Sequence, residues 1–72
     1  MLDYLIKIYI KEYNLECTVN HTFLKTLVIA GMIFKDERVD KIEIYSIQKA
    51  TMNQDIKLVK TLTKKEENND NN

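Results

Sequence analysis

The sequence predicts a single α+β domain: an antiparallel sheet of about four strands in the chain order ββαββ, one helix packed on it, and a disordered C-terminal tail. Three observations predict it. A period-two pattern runs through residues 4–11, where Ile6, Ile8 and Ile10 share one phase, and through 41–46, the signature of strands with one buried face. Between them lies the longest apolar run, Leu27–Phe34, which has no such alternation. From Lys64 onward no apolar residue occurs at all.

In the first segment Ile6, Ile8 and Ile10 share one phase, while Lys7, Tyr9 and Lys11 share the other. The β-branched and aromatic content agrees with a strand. Glu12-Tyr13-Asn14 reads as a tight turn, because Asn tolerates a left-handed backbone. Leu15, Cys17 and Val19 then alternate with Glu16, Thr18 and Asn20. This is a second strand, most simply paired with the first as a hairpin. Asn20 to Thr22 offers capping side chains just before Phe23, and residues 23–35 read as a helix of about three turns. Thr, Val and Ile weaken that assignment, but the run is too long for one typical strand. Lys35 suits the negative end of the helix dipole.

Asp36-Glu37-Arg38 is a polar connection, and Lys41–Ser46 a third strand with Ile42 and Ile44 on one face. Thr51–Asp55 resembles a loop or wide turn. Residues 56–62 fit a fourth strand with Ile56 and Leu58 inward, although 56, 59 and 62–63 also share a helical stripe. Thr61, Thr63 and the short hairpin connection favour the strand. Residues 1–63 thus form the domain. Residues 64–72 form a polar tail with no burial to offset the entropy of ordering.

Composition narrows the function. The chain has 72 residues, with 11 basic and 11 acidic side chains, so its formal net charge is zero. One Cys excludes an intramolecular disulfide, and with one His it cannot complete a closed structural zinc site. No cofactor or metal is expected. The apolar run is far shorter than the roughly 20 residues of a membrane helix. Met1-Leu2-Asp3-Tyr4 lacks a basic signal-peptide region, so a cytoplasmic location is expected. A domain this small buries only about 60% of its chain surface, which favours oligomerisation.

The helix carries the most information. On a helical projection Phe23, Leu27, Ala30 and Phe34 share one side, with Leu24 and Gly31 beside them. Ile29 and Ile33 form a flank, and Val28 and Met32 lie nearly opposite Phe23. Only Lys25 and Thr26 interrupt the apolar surface. A single sheet covers one stripe of a helix, so Val28, Ile29, Met32 and Ile33 are the expected self-association or partner surface. The competing reading is that the sheet curls round the helix, or that the C-terminal segment covers it. Gly31, the only glycine, marks either a close backbone approach or a kink near the helix end.

Candidate chemistry is sparse. Cys17 and His21 straddle a strand end and a helix start, and no third group is placed to orient them, so no enzyme activity is expected. Cys17 reads as a small buried hydrophobe. Asp36, Glu37 and Asp40 cluster, but Lys35, Arg38 and Lys41 interleave with them, as in a solvated loop. One glycine cannot build a phosphate cradle. The alternative function is nucleic-acid binding on a sheet face holding Lys7, Tyr9, Lys11 and Tyr45, since aromatic groups among basic ones stack bases and hold phosphates. Lys41 belongs to the same face, with Lys57 a further candidate. Glu12, Glu16 and Glu43 in that region, and the zero net charge, count against it.

The stretch Leu24–Ser46, an apolar helix followed by Lys-Asp-Glu-Arg-Val-Asp-Lys-Ile-Glu-Ile-Tyr, resembles small phage and mobile-element proteins of AT-rich bacteria. The richness in Ile, Lys and Asn is similar, and many such proteins run ββαββ. The likeness spans about residues 4–63 and rests on hydrophobic alternation. It transfers no functional residue. It implies a stoichiometric inhibitor of host machinery, of the anti-defence type, that blocks a host protein or sequesters a small nucleotide signal. The expectation is therefore a non-catalytic, homo-oligomeric binding protein.

Overall fold

A computed structural model describes residues 3–50 and 53–64. Four strands and one helix follow in order: β1 (Asp3–Ile10), β2 (Tyr13–Val19), α1 (Phe23–Phe34), β3 (Val39–Ala50) and β4 (Asn53–Thr63). All neighbours in the sheet are antiparallel, and the spatial order is β2-β1-β3-β4. The predicted ββαββ architecture is therefore the observed one. Of the expected disordered tail, residues 64–72, Lys64 is described and its N–H donates to the Asp40 carbonyl, so it continues the end of β4, while residues 65–72 lie outside the described residues.

Topology explains where the helix lands. β2 and β3 both run antiparallel to β1, so they run parallel to each other on either side of it. Parallel strands need a crossover connection, and α1 supplies it. The helix returns over β1 and β3, leaving β2 largely uncovered. The core forms in that contact: Tyr4, Ile6 and Ile8 of β1, Val39, Ile42 and Ile44 of β3, Val19 of β2 and Ala30 of α1 are buried. Leu27, Ile29, Ile33, Phe34 and Leu62 pack round them. In β2 only Val19 is buried, while Tyr13, Leu15 and Cys17, on the same side as the helix, remain exposed. Cys17 is thus not the buried hydrophobe its strand phase suggested, because the helix does not reach it.

The β1–β2 turn starts one residue earlier than expected and is one residue shorter. Ile10 pairs with Tyr13, so the loop is Lys11-Glu12, and Asn14 is already within β2. The left-handed demand falls on Lys11, with φ of 24°. Its N–H donates to Asp40 Oδ2 at 3.1 Å. At the helix start Thr22 is the N-cap, its hydroxyl accepting from the Lys25 N–H at 3.2 Å.

A register shift decides the fate of β4. Ile44 pairs with Lys60 but Tyr45 pairs with Leu58, so Val59 is an extra residue in the ladder. A bulge of this kind reverses the facing of everything beyond it. Leu62 therefore points to the core, while Ile56 and Leu58 emerge on the opposite face, about half exposed. The inward placement of Ile56 and Leu58 expected from their alternation is corrected by this one residue. β3 also continues to Ala50, past the point where β1 begins opposite Ile47. Residues 48–50 pair with β4 alone, and their partners Asn53–Asp55 are strand where the sequence pointed to a loop over Thr51–Asp55; residues 51–52 of that loop lie outside the described residues.

Candidate functional site

Two exposed surfaces lie on opposite sides of the molecule. The first is the back of α1. Thr26 and Ala30 are fully buried and mark the line of contact with the sheet. At 3.6 residues per turn, Val28 is diametrically opposite the midpoint of those two. Leu24, Val28 and Met32 form one stripe along this back and are 71%, 55% and 68% exposed. Val28 and Met32 are where the sequence placed them. Ile29 and Ile33, the other two expected contact residues, are partly buried flanks packed against the core.

Leu24 was missed as part of this surface, and Thr26 explains why. The polar Thr26 looked like an interruption in the apolar face. Its hydroxyl instead donates to the Thr22 carbonyl at 2.9 Å, within its own helix, so the rest of the side chain can enter the core. The contact line therefore turns away from Leu24, and the 24–28–32 spacing was the available signal. Gly31 stands beside the stripe. A Cβ built there meets nothing within 4 Å, and its φ is not positive. Neither a close approach within the chain nor a left-handed backbone accounts for this glycine.

The second surface is the sheet face away from the helix. Register brings Lys7, Tyr9, Lys41, Glu43 and Tyr45 together there. Both phenols turn inward on one acceptor: Tyr9 donates to Glu43 Oε1 at 2.7 Å and Tyr45 donates to the same oxygen at 2.9 Å. Lys41 Nζ lies 3.5 Å from Glu43 Oε2 and 4.6 Å from the centre of the Tyr9 ring. Lys7 Nζ lies 5.2 Å from the Tyr45 ring centre and 3.9 Å from Glu16. Lys11 is in the turn beyond β1, and Lys57, paired with Ser46, belongs to the helix side.

The electrostatics follow from that geometry. The hydroxyls of Tyr9 and Tyr45 hold the Glu43 carboxyl below the usual carboxylate range. In return the hydrogen bond to Glu43 pushes Tyr9 up to about 12 and raises Tyr45 as well. For a nucleic acid this is a poor arrangement. The two strand lysines are balanced by Glu16 and Glu43 and already lie near the tyrosine rings on which bases would stack. The other half of the face is mostly apolar, with Leu5, Tyr45 and Leu58 in one cross-strand row that Thr18 ends, and Ile47 and Ile56 in the next, which Asp3 ends.

Beyond these surfaces, the end of the sheet has an open pocket of about 540 Å³ lined by Asp40, Lys41, Thr63 and Lys64. Lys64 Nζ donates to the Asp36 carbonyl at 2.6 Å and lies over the Phe34 ring, tying the end of β4 to the α1–β3 connection. Arg38 grips Asp36 with two side-chain bonds and holds its carboxyl well below the usual range. Among the described residues no three His, Cys, Asp or Glu side chains converge as a metal site, and no helix is long and apolar enough to cross a membrane. No family model, curated protein or solved structure matches the chain.

Proposed function

We propose that the chain is a non-catalytic binding protein that works as a homo-oligomer in the cytoplasm of a bacterial host. It acts by stoichiometric inhibition, covering a surface of a host protein or sequestering a small nucleotide signal. The observation that carries this reading is the apolar back of α1. Leu24, Val28 and Met32 are more than half exposed on a regular helix, directly opposite the buried line of Thr26 and Ala30. A helix serving only its own sheet has a polar back. The phage-type resemblance supplies the inhibitory role. The internal pairing of Lys7, Tyr9, Lys41 and Tyr45 favours a protein-binding over a nucleic-acid reading.

Native mass spectrometry of the protein purified gently from its own host, beside its Met32→Lys variant, tests the proposal. The expected result is a multimer for the natural chain and a folded, dissociated variant. A natural chain that stays monomeric across the micromolar range, or a Met32→Lys variant that assembles unchanged, overturns it.

A further inference from the structure

β4 is an outer strand of the sheet, and the first half of its outer edge is open to another strand. We propose that a second copy of this chain pairs there, β4 against β4 across a two-fold axis at Ile56, so that the two sheets become one. The contact is separate from the back of α1 and goes beyond the reading above.

The β3–β4 ladder shows which backbone groups are spare. Ala50 pairs with Asn53 across a two-residue connection, and the pair that closes such a hairpin is hydrogen-bonded. Bonded and non-bonded pairs alternate along antiparallel strands. Gln48–Asp55 and Ser46–Lys57 are therefore bonded pairs, and the N–H and C=O groups of Gln54, Ile56 and Leu58 point away from β3. Unpaired groups of this kind are a template for a further strand. Past Leu58 the edge is blunted by the bulge at Val59 and by Lys60, two devices that discourage edge pairing. Before it there is no bulge, and the lysine is Lys57 alone.

Charge selects the register. Asp55 and Lys57 stand two apart on the helix side of the strand, both exposed, and among the described residues neither has an ion-pair partner. With the two-fold axis at Ile56, Asp55 of each copy faces Lys57 of the other, so both ion pairs form at once. Opposite charges directly across a ladder stabilise it, and like charges oppose it. Moving the axis to Lys57 or to Asp55 sets like charges face to face. β2, the other outer strand, has Glu16 as its one charge and offers no such match. On the opposite face the half-exposed Ile56 meets its own copy, which joins the Ile47–Ile56 row of one sheet to that of the other. The paired groups of Gln54, Ile56 and Leu58 make roughly six backbone hydrogen bonds between copies, within the range of about 10 ± 5 in a typical interface.

The test is amide hydrogen exchange of the full chain by NMR across the micromolar range, with circular dichroism to confirm that each variant folds. Thr61 is the internal control, since its N–H also points outward but lies beyond the bulge. The expected result is exchange at least tenfold slower at Ile56 and Leu58 as concentration rises, with Thr61 unchanged. Asp55→Lys and Lys57→Asp should each lose that protection alone and regain it when mixed, because the opposite sign then comes from the other copy. Glu37→Lys, with the same change of charge in the α1–β3 connection, should restore nothing when mixed with Lys57→Asp. Ile56→Pro should abolish pairing and keep the fold, since proline is tolerated on an edge strand where the N–H faces out. Ile56 exchanging like Thr61 at every concentration, or a mixture that recovers no protection, overturns the inference. If Met32→Lys dissociates the protein while Ile56 is never protected, this contact falls and the helix-back reading stands. If Ile56 is protected and Met32→Lys leaves the assembly unchanged, the helix-back reading falls and this contact stands.

Discussion

Tyr9 and Glu43 meet diagonally across the β1–β3 pair, with 2.7 Å between the phenolic oxygen and Oε1, and Tyr45 donates to the same oxygen from two residues along β3. One carboxylate thus organises two aromatic rings on a sheet face that no helix covers. The two hydroxyls also fix the protonation states at both ends of the pH scale.

Glu43 sits below its ordinary value in the fold, chiefly through the Tyr9 hydroxyl. Its contribution to stability is present above the unfolded carboxylate value of about 4.3 and is lost as pH falls through the folded one. Tyr9 is raised to about 12, so its contribution is present below the unfolded value of about 10 and is lost as pH climbs towards 12. Glu43→Gln removes the charge responsible for both. Thermal melting should then lose part of its acid-side dependence, and ultraviolet titration should show Tyr9 ionising nearer to 10. An unmoved tyrosine titration would show that the two side chains are not paired in solution.

Lys11 takes a positive φ in a two-residue hairpin loop, at the first central position, where glycine is favoured. Lys11→Gly should relieve the backbone without losing the N–H bond to Asp40. A gain of up to about 1 kcal/mol in urea unfolding is expected, from the cost of a left-handed backbone in an L-residue. A loss of stability would show that the turn adopts another conformation.

Ile44 is fully buried where β3 meets the helix and β1. Truncating such a side chain costs about 2–5 kcal/mol. A single core of this size rarely supplies more than about 3–5 kcal/mol in total. Ile44→Ala should therefore be largely unfolded at 25 °C, read by the collapse of amide proton dispersion. A variant that keeps its dispersed spectrum would place the core elsewhere.

Much of this molecule was legible in its pattern. Period-two alternation fixed β1, β2 and the first half of β3, because a strand between core and water must alternate. The apolar run and the Asn20–Thr22 caps fixed α1. Its excess of apolar residues announced a second surface, since one sheet covers only one stripe of a helix. Nothing in the local pattern announced the bulge at Val59. A single unpaired residue is invisible until its neighbour strand is known, yet it turned Ile56 and Leu58 outward and Leu62 inward. The uncovered β2 had the same kind of cause. Its Leu15 and Cys17 carry an inward phase, and only the landing of α1 over β1 and β3 left them exposed.

The sequence by itself determined the element order, the helix that no single sheet can cover and the absence of net charge. Only the tertiary structure decided which helix residues are free. Thr26 is polar by composition but buried by position, because its hydroxyl is satisfied within its own helix. That rotation of the contact line sends Leu24, Val28 and Met32 to the back and draws Ile29 and Ile33 towards the core. Likewise, Tyr9, Glu43 and Tyr45 are distant or merely alternate in sequence until strand register brings them onto one oxygen. Periodicity records the face each residue prefers, while register and the helix's landing site depend on long-range packing that no local window contains.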